Sequence, residues 1–144
     1  MSVDVASERV RAALARVEQA AAARRISLPG SRNLTRWLSE PQYAPYRERL
    51  LTAVEQEEFT RLDTMFWEVI PFGTGGRRGM MAEFGSATIN ERTIAESAQG
   101  LASYLKRVGG SAGGRAAVAC DTRNRSDEFA RLTATTLAAN GLTA

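Results

Sequence analysis

Residues 72–79 read FGTGGRRG, and four glycines in eight positions disfavour any regular helix or strand through this stretch. We therefore expect a loop here, which we call the glycine loop. Apolar residues follow different patterns before and after it. This change of pattern predicts two domains, a helical N-terminal extension over residues 1–65 and a second domain over residues 66–144.

The first 65 residues show helical periodicity. Residues 4–25 are predicted to form an amphipathic helix, because apolar residues recur there every three or four positions: Val10, Leu14, Val17 and Ala21. Pro29 and Gly30 predict a turn. A short helix through Trp37 should stop before Pro41, since the residue before a proline avoids helical geometry. Pro45 suits the first turn of the next helix.

Thr52 and Glu55 have the spacing of a capping box and predict the start of a further helix through Phe59. This completes a helical reading of the first domain.

The second domain reads as alternating strands and helices. Residues 77–84 and 115–120 predict strands, the second of them buried. Asn90 and Ser126 are predicted N-caps of the helices that follow each strand. This order implies a βαβα arrangement with a parallel sheet, so the predicted fold class is α/β. Residues 142–144 follow the last helix where another strand is expected, which predicts that the domain is incomplete at its C-terminal end.

Composition excludes several kinds of site. The chain has 144 residues and no histidine, which rules out His-based zinc sites and Ser-His-Asp triads within it. Its one cysteine, Cys120, cannot form an internal disulfide and is expected to be a buried structural thiol. A net charge of +3 does not indicate nucleic-acid binding. No apolar run approaches the ~20 residues of a membrane span, so a cytoplasmic protein is expected.

The glycine loop has several interpretations. A dinucleotide loop of the G-x-G-x-x-G type would need glycine where Arg78 stands, and a Walker loop would need Lys followed by Ser or Thr. Gly-Arg segments that contact RNA usually occur in repeats, and this one stands alone. A simple turn with surface arginines also fits. The remaining interpretation is a phosphate-handling loop, because backbone amides and guanidinium groups suit a phosphoryl group.

A resemblance favours that last interpretation. The glycine loop resembles the F-G-T-[AS]-G-L-R-G signature of the α-D-phosphohexomutase superfamily, the phosphoglucomutases and phosphomannomutases. Gly75 replaces the usual Ala or Ser, Arg77 replaces the usual Leu, and Arg78 falls on the family's arginine. Further segments are similar in order and separation: Gly85, Thr93-Ile94, Gln99-Gly100-Leu101, Tyr104 and the D-x-R-x-x-S match at 121–126. Residues 1–65 resemble, more weakly, the extension of the larger phosphoglucomutase and phosphopentomutase branch.

The resemblance implies an isomerase, an intramolecular phosphotransferase of carbohydrate metabolism. Such enzymes interconvert sugar 1-phosphates and 6-phosphates, or 5-phosphates, through a phosphoserine and a bisphosphate intermediate. It places Arg78 beside the transferring phosphate, with Thr74, Gly75 and Gly76 shaping the phosphate-binding loop. Arg77 either adds to the phosphate field or faces solvent, and solvent is the expectation.

The D-x-R-x-x-S segment has two interpretations. By the resemblance, Asp121 and Arg123 support the site from the carboxyl end of a strand. The alternative is a local Asp–Arg pair that holds its own loop. Ser126 is interpreted as an N-cap and not as a nucleophile, because no residue here could act as its base.

The family's phosphoserine lies in a T-x-S-H-N motif downstream, which a chain without histidine cannot contain. The resemblance therefore implies no catalytic and no metal residue in this chain. Mg²⁺ and a sugar bisphosphate activator would bind residues outside it, and its partners would be a sugar phosphate and the remaining domains of the same polypeptide, without nucleic acid or membrane. The chain alone is expected to be inactive. The alternative is a standalone module that binds a phosphate ligand without catalysis.

Overall fold

The computed structural model describes residues 2–109 and 114–144. Contacts between residues divide the chain into an N-terminal unit, Met1–Thr88, and a C-terminal unit, Ile89–Ala144. The described residues form these helices: α1 (Ser2–Ala22), α2 (Leu28–Ser39), a 3₁₀ helix (Pro41–Tyr46), α3 (Arg47–Glu55), α4 (Phe59–Phe66), α5 (Glu91–Gly109) and α6 (Ser126–Ala139).

The core of the N-terminal unit is built around Trp37. Its ring stacks on Tyr43 with the centroids 4.4 Å apart and meets the edge of Phe66 at 5.3 Å. Apolar residues from all four α-helices of this unit surround these rings, among them Val17, Leu34, Leu38, Leu50, Leu51, Val54 and Leu62. The predicted helicity of the first domain is thus explained by one apolar face on each helix.

Helix α2 begins earlier than the sequence predicted. Pro29 and Gly30 lie in its first turn, because a helix tolerates proline where the amide has no intrahelical partner. Ser27 is the N-cap: its Oγ accepts from the amide of Gly30 at 3.1 Å and donates to Oδ1 of Asp63 at 2.6 Å. These bonds tie the start of α2 to α4.

The capping box predicted at Thr52 is wrong. Thr52 lies inside α3, where its hydroxyl donates to the carbonyl oxygen of Glu48 at 3.0 Å. The helix ends at Glu55, and the chain turns through Glu57, which has a positive φ of 57°. Pro45 lies in the 3₁₀ helix just before α3.

Helices α5 and α6 pack on each other in the C-terminal unit. Its core cluster consists of Ala102, Leu137 and Leu142, and Ala98 of α5 is also buried. The prediction that Asn90 caps α5 is confirmed. The amide of Thr93 donates to Asn90 Oδ1 at 3.1 Å, and the amide of Asn90 donates to Thr93 Oγ1 at 3.0 Å. Each side chain thus accepts from the backbone amide of the other residue.

The predicted strands are not formed in the described residues. Residues 77–84 and 115–120 carry no strand, although an isolated parallel bridge pairs Arg115 with Thr143. Ala116 and Val118 pack on the core of the C-terminal unit while their neighbours face outward, so this segment is half-buried instead of fully buried. A sheet of about two strands is marginal, which explains why one bridge does not extend into a ladder.

The two compact units divide after Thr88 and not after residue 65. The domain boundary predicted after residue 65 concerns the organisation of the chain and stays a prediction. Residues 66–88 belong to the same compact unit as helices α1 to α4. The glycine loop is therefore carried by the N-terminal unit.

Candidate functional site

The glycine loop is closed at its base by hydrogen bonds. The amide of Ile70 donates to the carbonyl oxygen of Ser86 at 2.7 Å, and the Ser86 hydroxyl donates to the carbonyl oxygen of Glu68 at 2.6 Å. The amide of Ala87 donates to the carbonyl oxygen of Met65 at 2.9 Å. The chain thus leaves the helical core after α4 and returns to the same place.

The tip of the loop is a tight turn. The amide of Gly73 donates to the Gly76 carbonyl at 2.9 Å, and the amide of Gly76 donates to the Gly73 carbonyl at 3.3 Å. Thr74 and Gly75 occupy the two central positions, and Gly75 has a φ of +84°, as the third residue of a type II turn requires. This geometry explains glycine where the family signature has Ala or Ser.

The turn leaves donors for a ligand. The amides of Gly73 and Gly76 are used by the turn itself, whereas the described residues provide no acceptor for the amides of Thr74 and Gly75. Both residues are exposed. Two amides and a threonine hydroxyl at one exposed turn can donate to an oxyanion.

The two arginines of the loop differ in their surroundings. Arg78 is exposed and has no hydrogen-bond or ion-pair partner in the part of the chain that the structure describes. Arg77 is partly buried, and its Nε and Nη1 are buried without a hydrogen-bond partner among those residues. The expectation that Arg77 faces solvent is therefore wrong for these two nitrogens.

Asp121 and Arg123 form a pair in the C-terminal unit. Arg123 Nε donates to Asp121 Oδ2 at 2.8 Å, and the amide of Arg123 donates to Oδ1 at 3.0 Å. This amide, followed by the Ser126 hydroxyl, lowers the pKa of Asp121 below its usual range. The carboxylate orients a guanidinium whose side chain remains 86% exposed, so Arg123 keeps donors free for a further acceptor.

Ser126 does not act as the predicted N-cap. It is the first residue of α6, and its Oγ accepts from the amide of Asp121 at 3.0 Å, which closes the loop. Arg125 occupies the cap position with a φ of +60°. The hydroxyl is used across the loop because this left-handed residue turns the chain before the helix begins.

Sequence reasoning missed the role of Arg125. Its Nε donates to Glu128 Oε2 and its Nη2 donates to Glu91 Oε1, each at 2.7 Å, so it ties the 121–126 loop to the first turns of α5 and α6. The acidic residues that begin both helices were visible in the sequence, but their common partner was not. Cys120, expected to be buried, is exposed, because the segment that ends there belongs to no sheet.

The described residues do not fit a magnesium site. No group of three or more His, Cys, Asp or Glu side chains that could hold a metal ion occurs in residues 2–109 or 114–144. Nor does any described helix have both the length and the apolar character needed to cross a membrane.

The structure thus gathers the predicted site residues in two groups, the turn with its arginine in the N-terminal unit and the Asp121–Arg123 pair in the C-terminal unit. A family model described as phosphoglucomutase/phosphomannomutase, alpha/beta/alpha domain I, matches residues 70–144, which is just over half of the chain and includes both groups. No curated protein and no solved structure gives a significant match.

Proposed function

Because the chain belongs to the phosphoglucomutase/phosphomannomutase family, we propose that it supplies one wall of a site that transfers a phosphoryl group on a hexose or pentose phosphate. The full-length enzyme would be an intramolecular phosphotransferase that interconverts sugar 1-phosphates and 6-phosphates, or 5-phosphates. The observation that carries this proposal is the exposed turn of the glycine loop, followed by the unpaired Arg78, within the segment that the family model matches.

The reaction has two transfers. The phosphoryl group of a phosphoserine passes to a hydroxyl of the sugar phosphate, as the phosphorus–serine oxygen bond breaks and the bond to the sugar oxygen forms. The sugar bisphosphate reorients in the site, and its other phosphoryl group returns to the serine. In the proposal this serine lies outside this chain. Residues outside this chain also bind the bisphosphate activator and the Mg²⁺ that would neutralise charge. The protein is proposed to be cytoplasmic.

The residues of this chain contribute binding and charge. Phosphoryl transfer places negative charge on the oxygens of the moving group, and catalysis consists largely of holding and stabilising them. The Arg78 guanidinium is always protonated and offers several donors to these oxygens. The Thr74 hydroxyl and the free amides of Thr74 and Gly75 donate from the turn, while Gly75 and Gly76 let the backbone come close to the phosphate.

The Asp121–Arg123 pair gives support in this proposal. Asp121 fixes the direction of the Arg123 side chain, which keeps donors free for an oxyanion at the surface of the C-terminal unit. We also propose that residues 115–120 and 142–144 belong to the parallel sheet of a βαβα domain. The bridge between Arg115 and Thr143 supports this. The amide of Ala116 donates to the Thr143 carbonyl oxygen at 2.9 Å, and the amide of Thr143 donates to the Gly114 carbonyl oxygen at 3.1 Å.

The proposal is tested with the protein expressed from its full reading frame. Conversion of glucose 1-phosphate to glucose 6-phosphate is measured for the wild type, Arg78→Leu and Arg11→Leu. Loss of one donor aimed at the transition state is expected to lower kcat/KM by about 10²–10³-fold in Arg78→Leu. Arg11→Leu removes an exposed arginine of α1 and is expected to leave kcat/KM unchanged.

Two results would overturn parts of the proposal. An unchanged kcat/KM in Arg78→Leu would remove this arginine from the site. Turnover by residues 1–144 alone would show that the nucleophile lies within them. If the full reading frame binds sugar phosphates but converts none of them, the alternative of a binding module without catalysis is the correct one.

A further inference from the structure

Arg77 is the one member of the glycine loop whose surroundings the proposed function leaves unexplained. Its Nε and Nη1 carry three N–H groups, and all three are buried without an acceptor from the described residues. A guanidinium cannot lose its proton to escape this situation. Buried N–H groups without an acceptor lower the stability of the fold, so such an arrangement calls for an acceptor.

The other partly buried arginines of the described residues all have acceptors. They bond to carboxylates or to a backbone carbonyl: Arg9 to Glu48 and Glu55, Arg47 to Leu38, Arg92 to Glu96, and Arg125 to Glu91 and Glu128. Arg77 differs from this set, although its burial is similar. The fold therefore supplies acceptors to arginines that it covers, and the exception lies in the loop to which a ligand is assigned.

The residues that flank Arg77 in the sequence offer no carboxylate to fill this role. Residues 71–80 contain two arginines and no acidic residue. Glu83, the next acidic residue along the chain, is engaged by Arg49, whose Nη1 lies 3.0 Å from Glu83 Oε2. The charge of the loop is thus left for a partner that is not a side chain of the loop itself.

We propose that Arg77 binds an oxyanion, a phosphoryl group, as a second guanidinium ligand beside Arg78. This inference rests on the proposed function, which puts a phosphoryl ligand at the glycine loop. It goes beyond that function because the family signature has leucine at this position. A phosphoryl group suits a guanidinium that lacks an acceptor, because its several oxygens can accept from more than one N–H group at once. Its source is either the sugar phosphate or free phosphate.

The test measures phosphate binding to the 144-residue chain by calorimetry. Inorganic phosphate is titrated into the wild type, Arg77→Leu, Arg78→Leu and the control Arg11→Leu. Loss of hydrogen bonds to a charged group is expected to weaken phosphate binding about 10–100-fold in Arg77→Leu, with no change in the control. In the absence of phosphate, Arg77→Leu is expected to raise the Tm, because it removes buried N–H groups that have no acceptor.

A second measurement does not depend on the folding of Arg77→Leu. In the wild type, the ¹⁵N–¹H signal of the Arg77 Nε–H, assigned by its loss in Arg77→Gln, is expected to shift on addition of inorganic phosphate. An unmoved signal or unchanged affinity in Arg77→Leu would overturn the inference, as would a wild type that binds no phosphate. The mutase assay of the protein expressed from the full reading frame includes no Arg77 variant, so it tests the proposed function separately.

The source of the phosphoryl group is decided by repeating the titration with glucose 6-phosphate. Tighter binding than that of inorganic phosphate, lost in Arg77→Leu, supports the inference with a sugar phosphate as the ligand. Equal binding, also lost in Arg77→Leu, supports it with free phosphate.

Discussion

A Cβ atom at Gly85 would lie 2.6 Å from the carbonyl oxygen of Met65, a distance that real Cβ atoms essentially never adopt. Gly85 also has a φ of +119°, in a region open to glycine and strained for other residues. The amide of Ala87 donates to the same Met65 oxygen at 2.9 Å. The backbone at Gly85, which follows the glycine loop, and the end of α4 therefore approach too closely for any side chain at position 85.

Gly85→Ala is expected to destabilise the N-terminal unit, by about 1–3 kcal/mol from backbone strain and further from the displaced Met65 backbone. Gly75→Ala is the matched comparison, because Gly75 has a φ of +84° but open space around a Cβ. Its expected loss is about 1 kcal/mol. Urea unfolding followed by circular dichroism measures both variants. Equal losses would contradict the close approach at Met65.

The two tryptophans of the N-terminal unit are expected to differ in their contribution to stability. Trp37 is 3% exposed and packs on Tyr43 and Phe66, whereas Trp67 is 51% exposed. Trp37→Ala should cost about 3–5 kcal/mol, because it leaves a cavity among aromatic rings. Trp67→Ala should change the free energy of unfolding by less than about 0.5 kcal/mol. The same urea experiment ranks the two, and a similar loss in both would contradict this packing.

Asn90→Ala is expected to destabilise the C-terminal unit by about 1–2 kcal/mol, because it leaves the amide of Thr93 without its acceptor at a buried helix start. Asn90→Ser retains a capping oxygen and should recover most of the loss. Hydrogen exchange of the amides in the first turn of α5 provides the local measurement. Equal protection in the wild type and in Asn90→Ala would argue against the cap.

Asp121 is expected to make the 121–126 loop sensitive to acid. Its pKa is lowered in the folded chain, first by the amide of Arg123 and then by the Ser126 hydroxyl. The carboxylate therefore contributes stability that is fully present above the pKa of an unfolded aspartate, about 3.9, and is lost as the pH falls through the lower folded pKa. Asp121→Asn should remove this dependence, while the exposed control Glu18→Gln should keep it. A ¹³C titration that finds the carboxyl pKa at or above its usual value would contradict the observed pairing.

Local signals were predicted well from the sequence. The amphipathic pattern of residues 4–25 and the cap at Asn90 depend on neighbours within one or two turns, and both are present in the structure. The glycine loop was recognised for the same reason. The capping box at Thr52 is not formed, because a threonine hydroxyl can cap a following helix or bond to its own helix, and sequence spacing does not distinguish the two.

Features that depend on distant parts of the chain could not be predicted. Whether residues 115–120 form a strand depends on the number of strands beside them. Their side chains are half-buried, whereas burial on both faces was expected. The burial of Arg77 depends on tertiary packing around a long side chain that the sequence pattern places at the surface. The ion pair between Arg125 and Glu91 joins positions 34 residues apart. Only the structure reveals these relationships.

The hydrogen bond between Ile70 and Ser86 closes the glycine loop where it leaves the helical core. The entropy of closing a loop rises only slowly with its length, so insertions at the exposed tip beside Thr74 should cost little stability. Variation at this tip is thus separated from the helical core, on which Phe84 and Gly85 pack. Evolution can therefore change the exposed tip of the loop while the helical scaffold is inherited intact.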